Sequence, residues 1–336
     1  MDIFANVLTS TIIFAVPLLL VALGGMFSER SGVINLSLEG IMIMGALFSC
    51  VVLNKMNLVD GMESPESFGA LHPILGMFIA ILVAALVGMI YSLLLAFAAI
   101  NLRADQTIGG TSLNMLAPGL AVVITWAIQG QGQTTVLIPS WVRITQANFG
   151  GEASTEGFFN TLFFKSFYLT TPIAIIILVL SIIILYKTKF GLRLRACGEH
   201  PQAADSVGIN VYKMRYAGVM ISGALAGIGG LAFTVAAGSG FSSSVAGYGF
   251  LGLAVMIFGN WKPLNILGAS LFFALFKVIG SYSSAISFLP KFEGVTNSGY
   301  IYNMLPYIVT MIILILTSKN SAAPKAEGIP YDKGQR

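Results

Sequence analysis

Charge is the scarcest property of this sequence. Asp, Glu, Lys and Arg make up 10% of its 336 residues, where a soluble domain carries about a quarter. A chain of this length could build a large core, but so few charges could not wet its surface. Lipid is the solvent that fits. Cysteine and histidine are almost missing too. Cys50, Cys197, His72 and His200 stand alone in the sequence, with no CxxC or Cys/His cluster, which argues against a bound metal. The two histidines read as ordinary loop residues, because a catalytic or metal site needs convergent partners. There is no Gly-x-x-x-x-Gly-Lys-[Ser/Thr] loop, so ATP is not held through a P-loop. No HExxH, Ser/His/Asp set or paired acidic site emerges. An enzyme reading has little to stand on, and no cofactor is implied. The N-terminus lacks a basic n-region and a small-residue cleavage site, so it reads as a retained first span.

What is abundant is apolar: 56% of residues are hydrophobic and the mean hydropathy is +0.85. Spanning helices need about 20 mostly apolar residues. Nine candidates fall near 4–27, 33–54, 73–100, 108–128, 168–186, 214–237, 247–261, 263–282 and 301–318. The seventh is short and Gly-rich, and is expected to be broken or tilted. The fold class is all-α, a polytopic bundle. Residues 1–318 form the membrane domain, and 319–336 read as a disordered cytoplasmic tail.

The net charge of +4 reflects topology and not a nucleic-acid surface. Lys187, Lys189, Arg193, Arg195, Lys213 and Arg215 cluster between spans five and six. Alternation puts Arg30, Arg103, Lys262, Lys319, Lys325, Lys333 and Arg336 on the same side. That gives thirteen cations, against four on the other face, Lys55, Arg143, Lys165 and Lys291. The positive-inside rule makes the first side cytoplasmic, with N-terminus out and C-terminus in. Lys277 falls within span eight. Asp60, Glu63, Glu66, Glu152, Glu156 and Glu293 make the outer loops mildly acidic. Cys50 lies toward the outer face and Cys197 in the cytoplasm, too far apart for a disulfide.

Four features carry further information. Within Ser28–Gly40, the polar residues Asn35, Ser37 and Glu39 recur at every second position and lead into apolar sequence. Polar groups at membrane depth are costly unless they line a water path or are paired, so this stretch reads either as a helix break on a translocation path or as a turn with Ser37 or Asn35 as N-cap. The Gly/Ser-rich run Gly238–Gly249 precedes the short seventh span. Paired interruptions in two halves of a transporter often flank its substrate site; a simple outer loop is the alternative. Ala80, Ala84 and Gly88, and Gly223, Gly227 and Gly230, have the spacing of close helix packing. Gly-rich Gly223–Gly230 follows no strand and is not a nucleotide loop. Lastly, the loop at about 188–213 contains Pro201, suited to a first helical turn, and Gly208, suited to a stop. It reads as a short surface helix on which a partner docks, or as a solvated basic loop.

The runs Glu29-Arg-Ser-Gly-Val-Ile-Asn-Leu-Ser-Leu-Glu-Gly-Ile-Met-Ile-Met-Gly-Ala and Gly191-Leu-Arg-Leu-Arg-Ala-Cys-Gly-Glu-His-Pro-Gln-Ala-Ala-Asp-Ser-Val-Gly-Ile resemble the permease subunits of bacterial ABC importers. The subgroup is that of ribose, branched-chain amino acid and nucleoside importers, and the first run is closest to the simple-sugar and nucleoside branch. The resemblance extends from about Pro17 to Thr317. It implies a type II importer fold of about ten helices in the plasma membrane, pairing with a second permease chain of the same or a different kind. It implies two cytoplasmic ATPase subunits and an extracytoplasmic substrate-binding protein. Glu199, Pro201, Ala203, Ala204 and Gly208 match the family's ATPase-coupling loop; Cys197 is less typical of it. Asn35, Ser37, Glu39 and Asn114 are the candidate pathway groups, Asn114 having helix–helix bonding as its alternative. Nucleosides are the expected cargo and sugars the second choice. A secondary transporter would need an ionisable relay in the membrane, for which only Glu39 and Lys277 qualify. A non-transporting assembly subunit is the remaining alternative.

Overall fold

The structure is a computed structural model describing residues 2–59, 62–143, 168–238, 240–282, 302, 304–317 and 323–333. Asp60, Glu152, Glu156 and Glu293 of the acidic loops, and Lys165, Lys291, Lys319 and Arg336 of the charge count, lie outside these residues. The described elements are α1 (Asp2–Glu29), α2 (Leu38–Met56), a two-residue hairpin of β1 (Leu58–Val59) and β2 (Met62–Glu63), α3 (Phe68–Leu71), α4 (Pro73–Ala96), α5 (Gln106–Gln129), α6 (Thr170–Lys187), α7 (Lys189–Glu199), α8 (Pro201–Ser206), α9 (Val211–Ala237), α10 (Tyr248–Phe258), α11 (Pro263–Ser281) and α12 (Leu305–Thr317). Each of the nine expected spans coincides with one of these helices. Seven are long and apolar enough to cross a membrane, and α10 is an eleven-residue half-span. The N-terminal stretch is one continuous helix that carries Pro17 inside it.

The outward faces are built for lipid. Ile74, Leu75, Phe78, Leu82, Leu86, Ile90 and Leu94 of α4 are exposed, as are Ile175, Ile176, Val179, Leu180 and Ile183 of α6. A soluble protein would place charge there. Between lipid-immersed helices apolar burial supplies no drive, so close van der Waals packing must. The small residues supply it. Helix α9 lies at the centre against α1, α2 and α4. A Cβ added at Gly227 would strike the carbonyl of Ala84, one at Gly45 would lie 2.5 Å from the Cα of Gly227, and one at Gly230 would strike the carbonyl of Met42. Gly88 meets the carbonyl of Gly223 in the same way. Three helices therefore touch backbone to backbone at one crossing.

Two helices are interrupted inside the bundle. Leu38, which opens α2, lies beside Gly25 of α1, so the segment 31–37, whose N–H groups make no i→i−4 hydrogen bonds, rises about 6 Å past the end of α1. From the other end of the bundle, the chain after Ala237 descends through residues 240–247 before α10 begins. Gly252 packs on Val21 and Gly25 packs on Met256, so α10 runs alongside α1 and begins near Leu18. That is about 16 Å from Glu29 and about 24 Å from Asp2, near mid-depth. The descending loop holds Ser243, Ala246 and Gly247 at positive φ. It is pinned by an antiparallel bridge in which Val136 and Phe241 exchange N–H···O bonds of 2.8 and 2.9 Å.

The tail differs from expectation. Residues 323–333 pack against the body instead of being disordered, because distant groups provide their partners. Gly198 O accepts from Ala326 N at 2.8 Å, Ile329 O accepts from Arg215 at 3.0 Å, and Asp332 pairs with Arg103 at 2.9 and 3.0 Å.

Candidate translocation site

The two interruptions meet at Glu39. Its Oε1 accepts from Gly247 N at 2.9 Å and its Oε2 from Gly249 N at 2.6 Å. The first-turn amides of α10 have no partners within their own helix, and the helix dipole favours negative charge there. A carboxylate from α2 thus caps a half-helix whose N-cap residue, Gly247, lies 208 residues later in the chain. Contact at this point requires Gly249, where a Cβ would collide with the backbone N and Cα of Glu39.

The other candidate polar residues secure the break beneath this junction. Asn35 accepts from Ser37 N at 3.1 Å and from Ser37 Oγ at 2.6 Å, and it donates to Ser222 Oγ of α9 at 2.8 Å. Ser37 occupies the N-cap position of α2, but its hydroxyl makes no capping bond. The cap comes from another helix: Asn114 of α5 accepts from Gly40 N at 2.7 Å and donates to Leu36 O at 2.6 Å. Gln106 accepts from Ile34 N at 2.8 Å, and Ser28 Oγ donates to Val33 O at 2.7 Å. Irregular backbone at membrane depth persists only when protein groups satisfy it, and these side chains do so. Asn35, Ser37, Glu39 and Asn114 are all buried. Together they hold the break in place.

Gln106 and Ser222 belong to this bonding network, and the sequence reading missed them. Both lie in ordinary helical sequence, and only their partners, 72 and 187 residues away, give them a role. Above the junction, a cleft of about 470 Å³ is lined by Ser140, Arg143, Tyr168, Val235 and Gly238 among others. A larger groove of about 740 Å³, lined by Leu71, Ile74, Leu75, Phe78 and Ile173, is apolar and lies on the flank of α4.

At the other end, Pro201 opens α8 and Gly208 follows it at φ +82°. The expected coupling residues divide by face. Ala203 and Gly208 are exposed and Glu199 is half-buried, whereas Pro201 and Ala204 are buried. Ala204 packs with Cys197, Val211 and Tyr331. It supports the helix from beneath and is not available for docking. The outward face is Gln202, Ala203, Ser206 and Val207, the last 75% exposed. Burial pushes the Cys197 thiol up to about 11, with Arg215 acting the other way. Both cysteines are free, and no metal-holding group of His, Cys, Asp or Glu occurs among the described residues.

An apolar bundle with two interrupted helices meeting at mid-depth, and a surface helix on its basic end, defines a multi-pass membrane transport protein. Residues 7–317 match the family described as "Branched-chain amino acid transport system / permease component", and the chain belongs to that family. It is the permease subunit of an ABC transporter, a class that works with an ATPase and a substrate-binding partner. It is 43% identical to the guanosine ABC transporter permease protein NupQ of Bacillus subtilis, over 100% of this chain and 99% of that one. It is 39% identical to the nucleoside ABC transporter permease protein NupC of Lactococcus lactis, over 98% and 97% of the two chains. A putative glucose permease of Haloferax volcanii, TsgC13, is 29% identical over 94% of this chain and 92% of its own. No solved structure matches.

Proposed function

We propose that this permease forms one half of the path by which nucleosides enter the cell. The observation carrying the substrate class is the full-length similarity, at 43% and 39% identity, to permeases named for guanosine and for nucleosides. Sugars are the second choice. The chain pairs with a second permease, the same or different. Two cytoplasmic ATPase subunits bind the α8 face, and an extracytoplasmic binding protein delivers cargo to the opposite face. The cation count supports N-terminus out and C-terminus in. ATP-driven closure of the ATPases moves α8, which leads through Asn210 into α9, the central helix against which α1, α2 and α4 pack. The junction of Glu39 with α10 lies where the descending loop and the break meet, so its parting and re-forming opens the path alternately to each side. Asn35, Ser37 and Asn114 keep the break intact as it moves.

Guanosine uptake into energised vesicles, with an ionophore present, tests this. Uptake that survives collapse of the ion gradients but stops without ATP is expected. Uptake lost with the gradient points to a secondary transporter and overturns the proposal. Absence of any transport defect in a strain lacking the chain overturns it in favour of an assembly role.

A further inference from the structure

The packed segment 323–333 touches both working parts of the molecule. On one side it meets the break: Gly328 lies beside Ile34, and Gly32 lies beside Ala326 O. On the other it meets the docking helices. Ala326 N donates to Gly198 O of α7, and Tyr331, 5% exposed, fills the space under α8 and α9 with Cys197, Ala204 and Val211. The Tyr331 ring stands edge-on to Tyr212 at 5.4 Å. Asp332 extends the attachment to Arg103, just before α5.

These contacts are not arranged for maximum stability. Arg215 is 1% exposed, and Ile329 O accepts from its Nη1, while its Nε and Nη2 are buried without a partner. A buried charge without a full set of partners is costly. Removing the segment lets water reach that guanidinium, which offsets much of the lost contact. The bonded Arg103–Asp332 pair is partly solvent-exposed and contributes little.

We propose that residues 323–333 form a strap that carries the movement of the docking helix α8 directly to the helix break at residues 30–37, with Tyr331 as its positioning residue. The strap rests on the reading of α8 as the ATPase-docking element. Through it, a displacement of Ala204 reaches Gly32 and Ile34 without passing along the whole of α9. Among the described residues it is a second line between the two sites, and one that can be cut without disturbing the glycine crossing.

The test uses the full transporter complex and reads guanosine taken up per ATP hydrolysed. Three chains are compared with the wild type: one lacking residues 323–336, one with Tyr331→Ala, and one with Tyr331→Phe, which keeps the ring. Coupling between sites commonly amounts to 5- to 150-fold, so truncation is expected to lower the ratio about tenfold. Tyr331→Ala is expected to lower it several-fold and Tyr331→Phe to restore it, with basal ATP hydrolysis and complex assembly kept in all three. An unchanged ratio in the truncated complex overturns the strap, as does loss of assembly, which would make the segment structural. Two outcomes bear on the earlier readings instead. If the wild-type complex itself imports no guanosine, the nucleoside reading fails. If Ala203→Arg leaves ATPase binding intact, the docking reading fails.

Discussion

Replacing Glu39 by Gln probes the point where the two interrupted helices are joined. The carboxylate accepts one amide on each oxygen, at 2.9 Å from Gly247 and 2.6 Å from Gly249. Gln preserves the shape but offers one oxygen and one NH2. One bond therefore survives, and the other becomes a donor facing a donor. A hydrogen bond to a charged group contributes roughly 1.5–3 kcal/mol, and orphaning a buried N–H costs about 1–3 kcal/mol. Against this, the neutral amide is cheaper to bury than a carboxylate. A net loss of about 2 kcal/mol is expected, which corresponds to about 30-fold more frequent opening of the junction. Hydrogen exchange measured at the amides of Gly247 and Gly249 in the purified protein reads this directly, because local opening sets their exchange. Exchange at both should rise about 30-fold, while amides in the middle of α9 stay protected. Exchange within about threefold of wild type would mean that the carboxylate does not hold α10 in place, and the role given to the junction would fall with it.

Three further outcomes follow from particular contacts. Gly227→Ala drives a methyl into the Ala84 carbonyl, and overpacking of this kind costs about 1–3 kcal/mol; a lower unfolding midpoint in detergent is expected, and an unchanged midpoint would contradict the described crossing. Val207→Asp, just after α8 on its outward side, should abolish co-purification of the ATPase while leaving the permease's own unfolding midpoint unchanged, whereas Ala204→Asp should lower that midpoint; the reverse pattern would mean the two faces are misassigned. The strap should also respond to pH. Burial pushes the Glu327 carboxyl from 4.5 up to about 6, opposed by its hydrogen bond to Glu29. A group whose docked pKa is raised resists ionisation, so docking is strongest below pH 4.5 and weakens as pH rises towards 6. Proteolytic cutting within 323–333 should quicken across that window in the wild type and change less in Glu327→Gln, and equal profiles would remove Glu327 from the balance.

Much of this arrangement is legible in the sequence. The spans are readable because lipid demands long apolar runs, and α8 because Pro201 and Gly208 mark its ends. Glu39 and the Gly-rich run before α10 each stand out as interruptions. Their meeting does not, since hydropathy carries no information about which distant segments touch. Asn114 and Gln106 illustrate the same limit. Each is one polar residue in a helix, and its role depends on a backbone group in α2 or just before it. The tail 319–336, which contains the segment 323–333, reads as disordered because it is short, polar and contains Pro and Gly. It is ordered by Arg215, Arg103 and Gly198, none of which its own composition reveals.

The glycine crossing of α2, α4 and α9 has a kinetic consequence. Helices that interlock through side chains must change rotamers, or unlock and relock, in order to shift. Here the contact surfaces at Gly45, Gly88 and Gly227 are peptide groups and Cα atoms, with no side chain to be re-seated. Small rotations about that point leave the contact area nearly constant. The tightest place in the bundle is thus also a place of low friction, a bearing about which the surrounding helices can turn without coming apart.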